Sequence, residues 1–181
     1  MRNTKTLFIT EVAILSALAV VLDIVCGTLF SFSWTSGGSV SIAMFPIFIL
    51  GIRWGLPGGF AGGLILGLIQ LILPTSFVAG IFQAAFDYIF AFGILGIVGL
   101  IKPLLPKLNN NQRYIVSTLL MLIAGILRTL FHIFSGVLFF NINFIGSTLY
   151  NLPYMIPSII ASILFVIFFM YKTPNLVYLD K

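Results

Sequence analysis

Charged side chains are the scarcest feature of this sequence. They make up 7% of its 181 residues, with four acids against nine bases, whereas 60% of the residues are apolar. A soluble globular domain has about 25% charged residues, so this chain has too few charges to cover a surface in water. The composition therefore excludes an ordinary soluble domain, and the abundance of apolar residues excludes a disordered chain even more firmly.

Cysteine and catalytic sequence motifs are also scarce. Cys26 is the single cysteine, which excludes an intrachain disulfide bond and a cysteine zinc cluster. The chain contains no G-x-x-x-x-G-K-[ST] phosphate loop, no G-x-S-x-G elbow and no H-E-x-x-H motif. We therefore expect a protein that is not an enzyme, that holds no cofactor and no metal, and that does not hydrolyse ATP through a phosphate loop.

Long apolar segments account for most of the chain. A helix that crosses the hydrocarbon of a bilayer needs about 20 mostly apolar residues, and six such helices with their loops fit this length. The predicted spans are 7–26, 40–52, 57–73, 77–101, 114–140 and 148–171. We expect an all-α integral membrane bundle of six transmembrane helices that forms a single domain over residues 1–181.

The distribution of lysine and arginine predicts the orientation of the spans. If the N-terminus lies in the cytoplasm, eight of the nine bases fall at the cytoplasmic face and the three opposite loops contain none. Cytoplasmic loops of membrane proteins carry an excess of these residues, so both termini are predicted to be cytoplasmic. The bases occur singly, without a basic patch, and we expect no nucleic-acid partner.

Asp87 and Arg128 lie inside predicted spans, where a charge costs about 2.5–3.5 kcal/mol. Both lie roughly 15 Å from the outer ends of their helices at 1.5 Å per residue. His132 follows Arg128 by one helical turn and shares its face. Two interpretations remain open: Asp87 and Arg128 form a buried ion pair that joins two helices, or these residues line a polar cavity that opens outward.

Further polar and aromatic residues near the same level favour the cavity. They are Asn141, Asn143, Tyr150, Asn151 and Tyr154. Aromatic rings attract cations, and Asp87 supplies a negative charge. The residues therefore predict a small, flat, partly cationic organic ligand, whereas one histidine and one aspartate are too few for a metal site.

Small residues recur every four positions in two predicted spans. Gly59, Gly63 and Gly67 follow this pattern in span three, and Ala13 and Ala17 follow it in span one. Such spacing lets helices approach closely. For the glycines, packing inside the bundle is sufficient explanation, whereas the alanines are candidates for docking a partner.

Several segments resemble the thiamine-specific substrate-binding (S) component of energy-coupling factor transporters. The resemblance covers nearly the whole chain, beginning with EVAILSA at 11–17. Its most specific segments are GGSVSIAMFPI at 37–47, RWGL at 53–56, QAAFDY at 83–88, RTLFH at 128–132 and YN at 150–151.

The resemblance implies a six-helix component of the bacterial plasma membrane that binds thiamine from outside with high affinity. It also implies docking on a scaffold membrane subunit that is coupled to two cytoplasmic ATPase subunits. Ala13 and Ala17 match the alanine motif that meets the scaffold. The implied substrate-binding residues are Trp34, Asp87, Tyr88, Arg128, His132, Phe140, Tyr150 and Asn151.

Two positions depart from the family pattern. Phe140 stands where a stacking tryptophan is expected, and Gly146 where some members have a tyrosine. Alternative ligands therefore remain open: a thiamine phosphate ester, another vitamin, or a thiamine precursor such as a hydroxymethylpyrimidine. A membrane enzyme and a purely structural membrane subunit are the alternatives from other classes of protein.

Overall fold

The computed structural model describes residues 4–30, 38–73 and 76–179. Within these ranges all regular secondary structure is helical, and no strand is present. The helices are α1 (Thr4–Phe30), α2 (Met44–Trp54), α3 (Leu56–Ile72), α4 (Ile81–Lys107), α5 (Asn110–Phe139), α6 (Phe144–Lys172) and the short α7 (Pro174–Val177).

Four of these helices, α1, α4, α5 and α6, are long and apolar enough to cross a membrane. The helices α2 and α3 are apolar but shorter. Every residue of α2 from Met44 to Ile52 is buried, so this helix forms the centre of the bundle. A helix that is apolar on all sides and surrounded by protein does not need the length of a lipid-facing span.

The predicted turn between spans two and three is confirmed. Gly55 adopts a φ of 74°, and its N–H donates to the Gly51 carbonyl to close α2. Positive φ is accessible to glycine at little cost. Pro57 stands in the first turn of α3, where its missing N–H has no helical partner to lose.

Two long helices begin earlier than the sequence predicts. Asn109 and Gln112 form a reciprocal capping box that starts α5 at Asn110 rather than at 114. The Asn143 side chain accepts a hydrogen bond from the Gly146 N–H at 2.7 Å and starts α6 at Phe144 rather than at 148. The polar asparagines therefore serve as helix caps, and the turn predicted for 141–147 is shorter.

The backbones of α3 and α4 are in direct contact along the glycine stripe. A Cβ atom on Gly59 would lie 2.8 Å from the Gly96 Cα. A Cβ on Gly63 would overlap the Phe92 carbonyl oxygen, and one on Gly67 would overlap the Tyr88 carbonyl oxygen. The interpretation of these glycines as packing residues is therefore confirmed.

The α4 helix is irregular where it faces α3. Residues Ala85–Phe90 form a π-helical turn and residues Ile94–Ile101 a 3₁₀ segment. A π-helical turn widens a helix locally and frequently marks a functional site. Asp87 lies inside this turn, so the irregular geometry sets the direction of its side chain.

The basic loops gather at one end of the bundle. Arg53 donates from Nη2 to Glu11 Oε1 at 2.7 Å, and from Nη1 to the Asn175 and Tyr178 carbonyls at 2.8 and 3.1 Å. Trp54 Nε1 also donates to Glu11, at 2.7 Å. These contacts join α1, α2 and the segment after α6. The bases at this end, within the described ranges, are Lys5, Arg53, Lys102, Lys107, Arg113 and Lys172.

The contact between α3 and α4 gives a first prediction. Gly67→Ala places a methyl group against the Tyr88 carbonyl, where backbone must move. Overpacking of this kind costs about 1–3 kcal/mol, and each kcal/mol is worth about 2–4 °C in a chain of this size. We expect a lower melting temperature in detergent. Gly27→Ala is the matched helical control, because the nearest atom to its added Cβ is Ser39 Oγ at 3.8 Å. Equal melting temperatures for the two variants would contradict the packing argument.

Candidate functional site

The Asp87 carboxylate is held by hydrogen bonds to both of its oxygens. Oδ1 faces His132 Nδ1 at 2.8 Å. Oδ2 accepts from Ser135 Oγ at 2.5 Å and from Gln83 Nε2 at 2.6 Å. The Gln83 and Ser135 side chains are buried, with 3% and 1% of their surface exposed. Three donors from α4 and α5 therefore compensate the carboxylate for lost hydration.

Arg128 does not pair directly with Asp87. Its Nε lies 3.4 Å from His132 Nε2, and its guanidinium stacks 4.1 Å from the centre of the Phe92 ring. Throughout residues 4–30, 38–73 and 76–179, the ion-pair partner of Asp87 is His132 and no lysine or arginine. Of the two interpretations left open by the sequence, the direct Asp87–Arg128 ion pair is therefore wrong, because the histidine lies between the two groups.

The imidazole lies between the guanidinium and the carboxylate. Arginine has only donors, and Arg128 Nε points at His132 Nε2 from 3.4 Å. On the other side of the ring, Nδ1 faces Asp87 Oδ1 at 2.8 Å. Arg128 orients Asp87 only through the His132 ring.

Gln83 also fixes the segment that precedes α4. Its Oε1 accepts from the Ala79 N–H at 2.9 Å, and its Nε2 reaches the Phe77 carbonyl at 3.3 Å. The Tyr88 hydroxyl donates to the same carbonyl at 3.1 Å. Residues 76–80 are therefore anchored to the helical turn that carries the carboxylate.

The α6 helix supplies a second polar wall. Asn151 is buried, its Nδ2 donates to the Ser147 carbonyl at 2.9 Å, and its Oδ1 accepts from the Tyr154 hydroxyl. The Tyr150 ring contacts the Tyr154 ring edge-on, with 6.2 Å between centroids. The Ser147 hydroxyl donates to the Ile133 carbonyl at 2.9 Å, so this part of α6 packs against α5 next to His132.

The remaining predicted residues have different outcomes. The Phe140 ring lies 5.6 Å from the Phe77 ring, just beyond the C-terminal end of α5. Asn141 and Asn143 are exposed, and Asn143 caps α6, so their placement in the cavity is wrong: helix termination explains these polar side chains. Trp34 lies outside the described residues.

The cluster is not closed by packing. Asp87 and His132 keep 16% and 14% of their side-chain surface exposed although both lie within long apolar helices. A depression of about 150 Å³ adjoins the cluster through Gln83 and is otherwise lined by residues 79–82 and Phe139. In the three described ranges, no group of three or more His, Cys, Asp or Glu side chains could hold a metal ion.

Asp23 is not among the site residues predicted from the sequence, yet its carboxylate is anchored to neighbouring segments of the bundle. Its Oδ1 accepts from Ser41 Oγ at 2.7 Å, and its Oδ2 accepts from Gln70 Nε2. The Ser41 N–H donates in turn to Ser158 Oγ on α6 at 2.9 Å. The sequence signal for this contact is the presence of a polar residue in each of two apolar spans, Asp23 and Gln70. Ser135 is likewise absent from the site residues predicted from the sequence, although it follows His132 by three residues on one helix face.

These features define a class of protein: an all-helical, multi-pass membrane protein with an accessible polar cluster between its helices. The family model described as "Thiamine transporter protein" matches residues 9–178. "Thiamine transporter ThiT" of Bacillus subtilis (strain 168) is 38% identical over 194 aligned positions and is covered completely, as is this chain. The chain belongs to this thiamine transporter family and is a multi-pass protein of the cell membrane.

A solved structure confirms the fold. It is described as "Native-SAD phasing for ThiT from Listeria monocytogenes serovar", and it shares 23% sequence identity with this chain. The superposition has a TM-score of 0.80 and covers 98% of this chain and 100% of the other. The predicted all-helical fold of the resembled family is therefore found, and the family members are named as transporters rather than enzymes.

The donors around Asp87 give a second prediction. Ser135→Ala removes one hydrogen bond from a partly buried carboxylate, which costs about 1–3 kcal/mol. We expect a lower melting temperature in detergent. Ser117→Ala on the same helix is the control, because the Ser117 hydroxyl is buried and has no hydrogen-bond partner in the described part of the chain. Its removal is expected to be neutral or stabilising. A larger loss for Ser117→Ala than for Ser135→Ala would contradict the hydrogen-bond argument.

Proposed function

We propose that the protein is the thiamine-binding S component of an energy-coupling factor transporter. It captures thiamine at the outer face with high affinity and depends on partner subunits for ATP-driven uptake. The observation that carries this proposal is the accessible Asp87–His132 pair in a chain of the thiamine transporter family. A carboxylate that is held by three donors and keeps part of its surface exposed is suited to a cationic, ring-shaped ligand.

The proposed topology has six spans with both termini in the cytoplasm. The described bases outside the site gather at the end of the bundle that holds Arg53 and the segment after α6. The positive-inside rule assigns this end to the cytoplasm. Phe77 and Phe140, next to the cluster, then belong to the outer half, from which an extracellular ligand enters.

The chemistry of thiamine matches the groups in the site. Thiamine has a thiazolium ring with one positive charge and an aminopyrimidine ring with hydrogen-bonding edges. Asp87 would attract the charge or accept from the amino group, and Asn151 would bond a ring edge. The rings of Tyr88, His132, Phe140 and Tyr150 would form apolar and π-bearing walls. Arg128 would act through His132, and Trp34 stays a predicted contact.

The α1 helix offers the proposed docking surface for the scaffold subunit. Ala13 and Ala17 are exposed, whereas Val12 and Ser16 beside them are buried. Small exposed side chains allow another helix to approach closely within lipid. In this proposal the scaffold connects the chain to two cytoplasmic ATPase subunits. These subunits supply the energy for uptake, because this chain has no phosphate-loop motif for ATP hydrolysis.

Ligand binding gives a third prediction. The purified protein is titrated with thiamine while tryptophan fluorescence is followed. We expect Asp87→Asn to weaken binding by about 10- to 100-fold, because a hydrogen bond to a charged group is worth about 1.5–3 kcal/mol. Glu11→Gln is the control, since this carboxylate binds Arg53 and Trp54 at the other end of the bundle. A dissociation constant near millimolar that Asp87→Asn leaves unchanged would refute thiamine as the ligand.

Melting temperatures distinguish the ligands. A ligand that binds the native state raises the melting temperature by mass action. Thiamine should raise it more than a hydroxymethylpyrimidine at equal concentration. The opposite order would reassign the site to the precursor. The Phe140 ring, which is smaller than the tryptophan expected at this position, would still suit that ligand.

Partner docking gives a fourth prediction. Ala13→Trp and Ala17→Trp should abolish thiamine uptake in cells that contain the partner subunits, because the bulky ring prevents close helix approach. Thiamine binding by the purified variants should not change. Leu164→Trp is the control, because Leu164 is 60% exposed on α6, away from α1. Normal uptake in both alanine variants would refute docking through this face.

A further inference from the structure

The part of α6 that carries Asn151 and Tyr154 is interrupted by two prolines, Pro153 and Pro157. Proline has no N–H, so two carbonyls in this part of the helix lack their usual helical donors. A membrane helix that contains prolines depends on neighbouring segments for support. The Tyr154 hydroxyl donates to Asn151 Oδ1, so the orientation of the Asn151 amide depends on how well Tyr154 is held.

Residues 38–43, which precede α2, pack against this part of α6. The Ser41 N–H donates to Ser158 Oγ at 2.9 Å, and the Ser158 hydroxyl donates to the Tyr154 carbonyl at 2.6 Å. Gly38 lies on the Tyr154 ring, because a Cβ atom on Gly38 would be only 2.7 Å from Cε1 of that ring. The 38–43 segment therefore supports α6 at two points, Ser158 and the Tyr154 ring.

The 38–43 segment is anchored on its other side by Asp23. Asp23 Oδ1 accepts from the Ser41 hydroxyl at 2.7 Å, and Oδ2 accepts from Gln70 Nε2. Ser41 Oγ also accepts from the Ala43 N–H at 3.1 Å, immediately before α2 begins. Asp23 belongs to α1 and Gln70 to α3. A continuous series of hydrogen bonds therefore joins these two helices through Ser41 to α6.

We propose that Asp23 is a positioning residue of the ligand site: it holds the 38–43 segment against α6 and so fixes the orientation of the Asn151 amide. The inference rests on the proposed function, in which Asn151 bonds a ring edge of thiamine. Asn151 Oδ1 accepts one hydrogen bond from Tyr154, and an amide oxygen has a second lone pair that suits a donor on the ligand. If Tyr154 moves, the amide loses the partner that directs this lone pair.

The test measures the dissociation constant of thiamine by calorimetry on protein purified in detergent. Asp23→Ala removes the acceptor of the Ser41 hydroxyl, so thiamine should bind about 10-fold more weakly, which corresponds to about one lost hydrogen bond. Asp23→Asn is the conservative variant. Its amide oxygen still accepts from Ser41, and its NH₂ group donates to Gln70 once the Gln70 amide turns, so it should restore the affinity.

A double-mutant cycle shows whether Asp23 acts through Asn151. Asn151→Ala removes the contact itself and should weaken thiamine binding by about 10-fold. Adding Asp23→Ala to it should cause no further loss, because the group that Asp23 positions is gone. In the control cycle, Asp23→Ala and Asp87→Asn should multiply their separate effects, since Asp87 is held by other donors on α4 and α5.

Gly38→Ala tests the same contact without changing Asp23, so the inference stays testable even if Asp23→Ala does not fold. The added methyl group would overlap the Tyr154 ring, and the φ of 94° at this position disfavours alanine. Thiamine binding should weaken by about 10-fold, with no further loss when Asn151→Ala is also present. Gly27→Ala is the glycine control and should bind as the wild type does, because its Cβ would lie 3.8 Å from the nearest atom.

Three results would overturn the inference while thiamine binding by the wild type leaves the proposed function intact. The first is wild-type affinity in Asp23→Ala and Gly38→Ala. The second is multiplication of the Asp23→Ala and Asn151→Ala effects, since Asp23 would then act independently of the amide. The third is an equal loss in Asp23→Asn and Asp23→Ala, which would exclude the hydrogen bond as the cause. Failure of the wild-type protein to bind thiamine would refute the proposed function and this inference with it.

Discussion

A carboxylate inside a membrane-spanning helix must be compensated by donors from its neighbours, and the site depends on how Asp87 meets this requirement. Its oxygens receive hydrogen bonds from His132, Ser135 and Gln83. A simple ion pair with Arg128 would have cancelled the charge and closed the site. Instead the imidazole of His132 lies between the two groups, and the exposed part of the Asp87 side chain leaves the carboxylate available to a ligand.

The geometry of Asp87 is set by the contact between α3 and α4. Glycines on α3 bring its backbone against the carbonyls of Tyr88 and Phe92, one residue and five residues after Asp87. At this level α4 departs from regular α-helix and forms the π-helical turn of Ala85–Phe90. Side chains at Gly63 or Gly67 would separate the helices and remove the support for that turn. The glycine stripe on α3 thus positions the Asp87 carboxylate on α4.

The two ends of the bundle have different chemistry. At the basic end, Arg53 links Glu11 to the carbonyls of Asn175 and Tyr178, which fixes α1, α2 and the segment after α6 as one unit. Toward the other end lie two partly buried carboxylates, Asp23 and Asp87, which accept hydrogen bonds from serine and glutamine side chains. This separation agrees with the proposed function, in which a cation enters on one side and the basic face and the exposed α1 surface lie on the other.

The sequence by itself determined the helical membrane class and the Gly55–Pro57 turn, and it singled out Asp87 and His132, which lie in contact. Apolar run length, glycine and proline geometry and the cost of intramembrane charge are properties of local sequence. The extent of α5 and α6 was only approximate, because asparagine caps extend them by several residues. Only the tertiary structure decided that His132 separates Asp87 from Arg128 and that Asp23 meets Ser41 and Gln70. Those contacts depend on which faces of distant helices meet, and helical periodicity within one segment cannot specify the rotation of its neighbours.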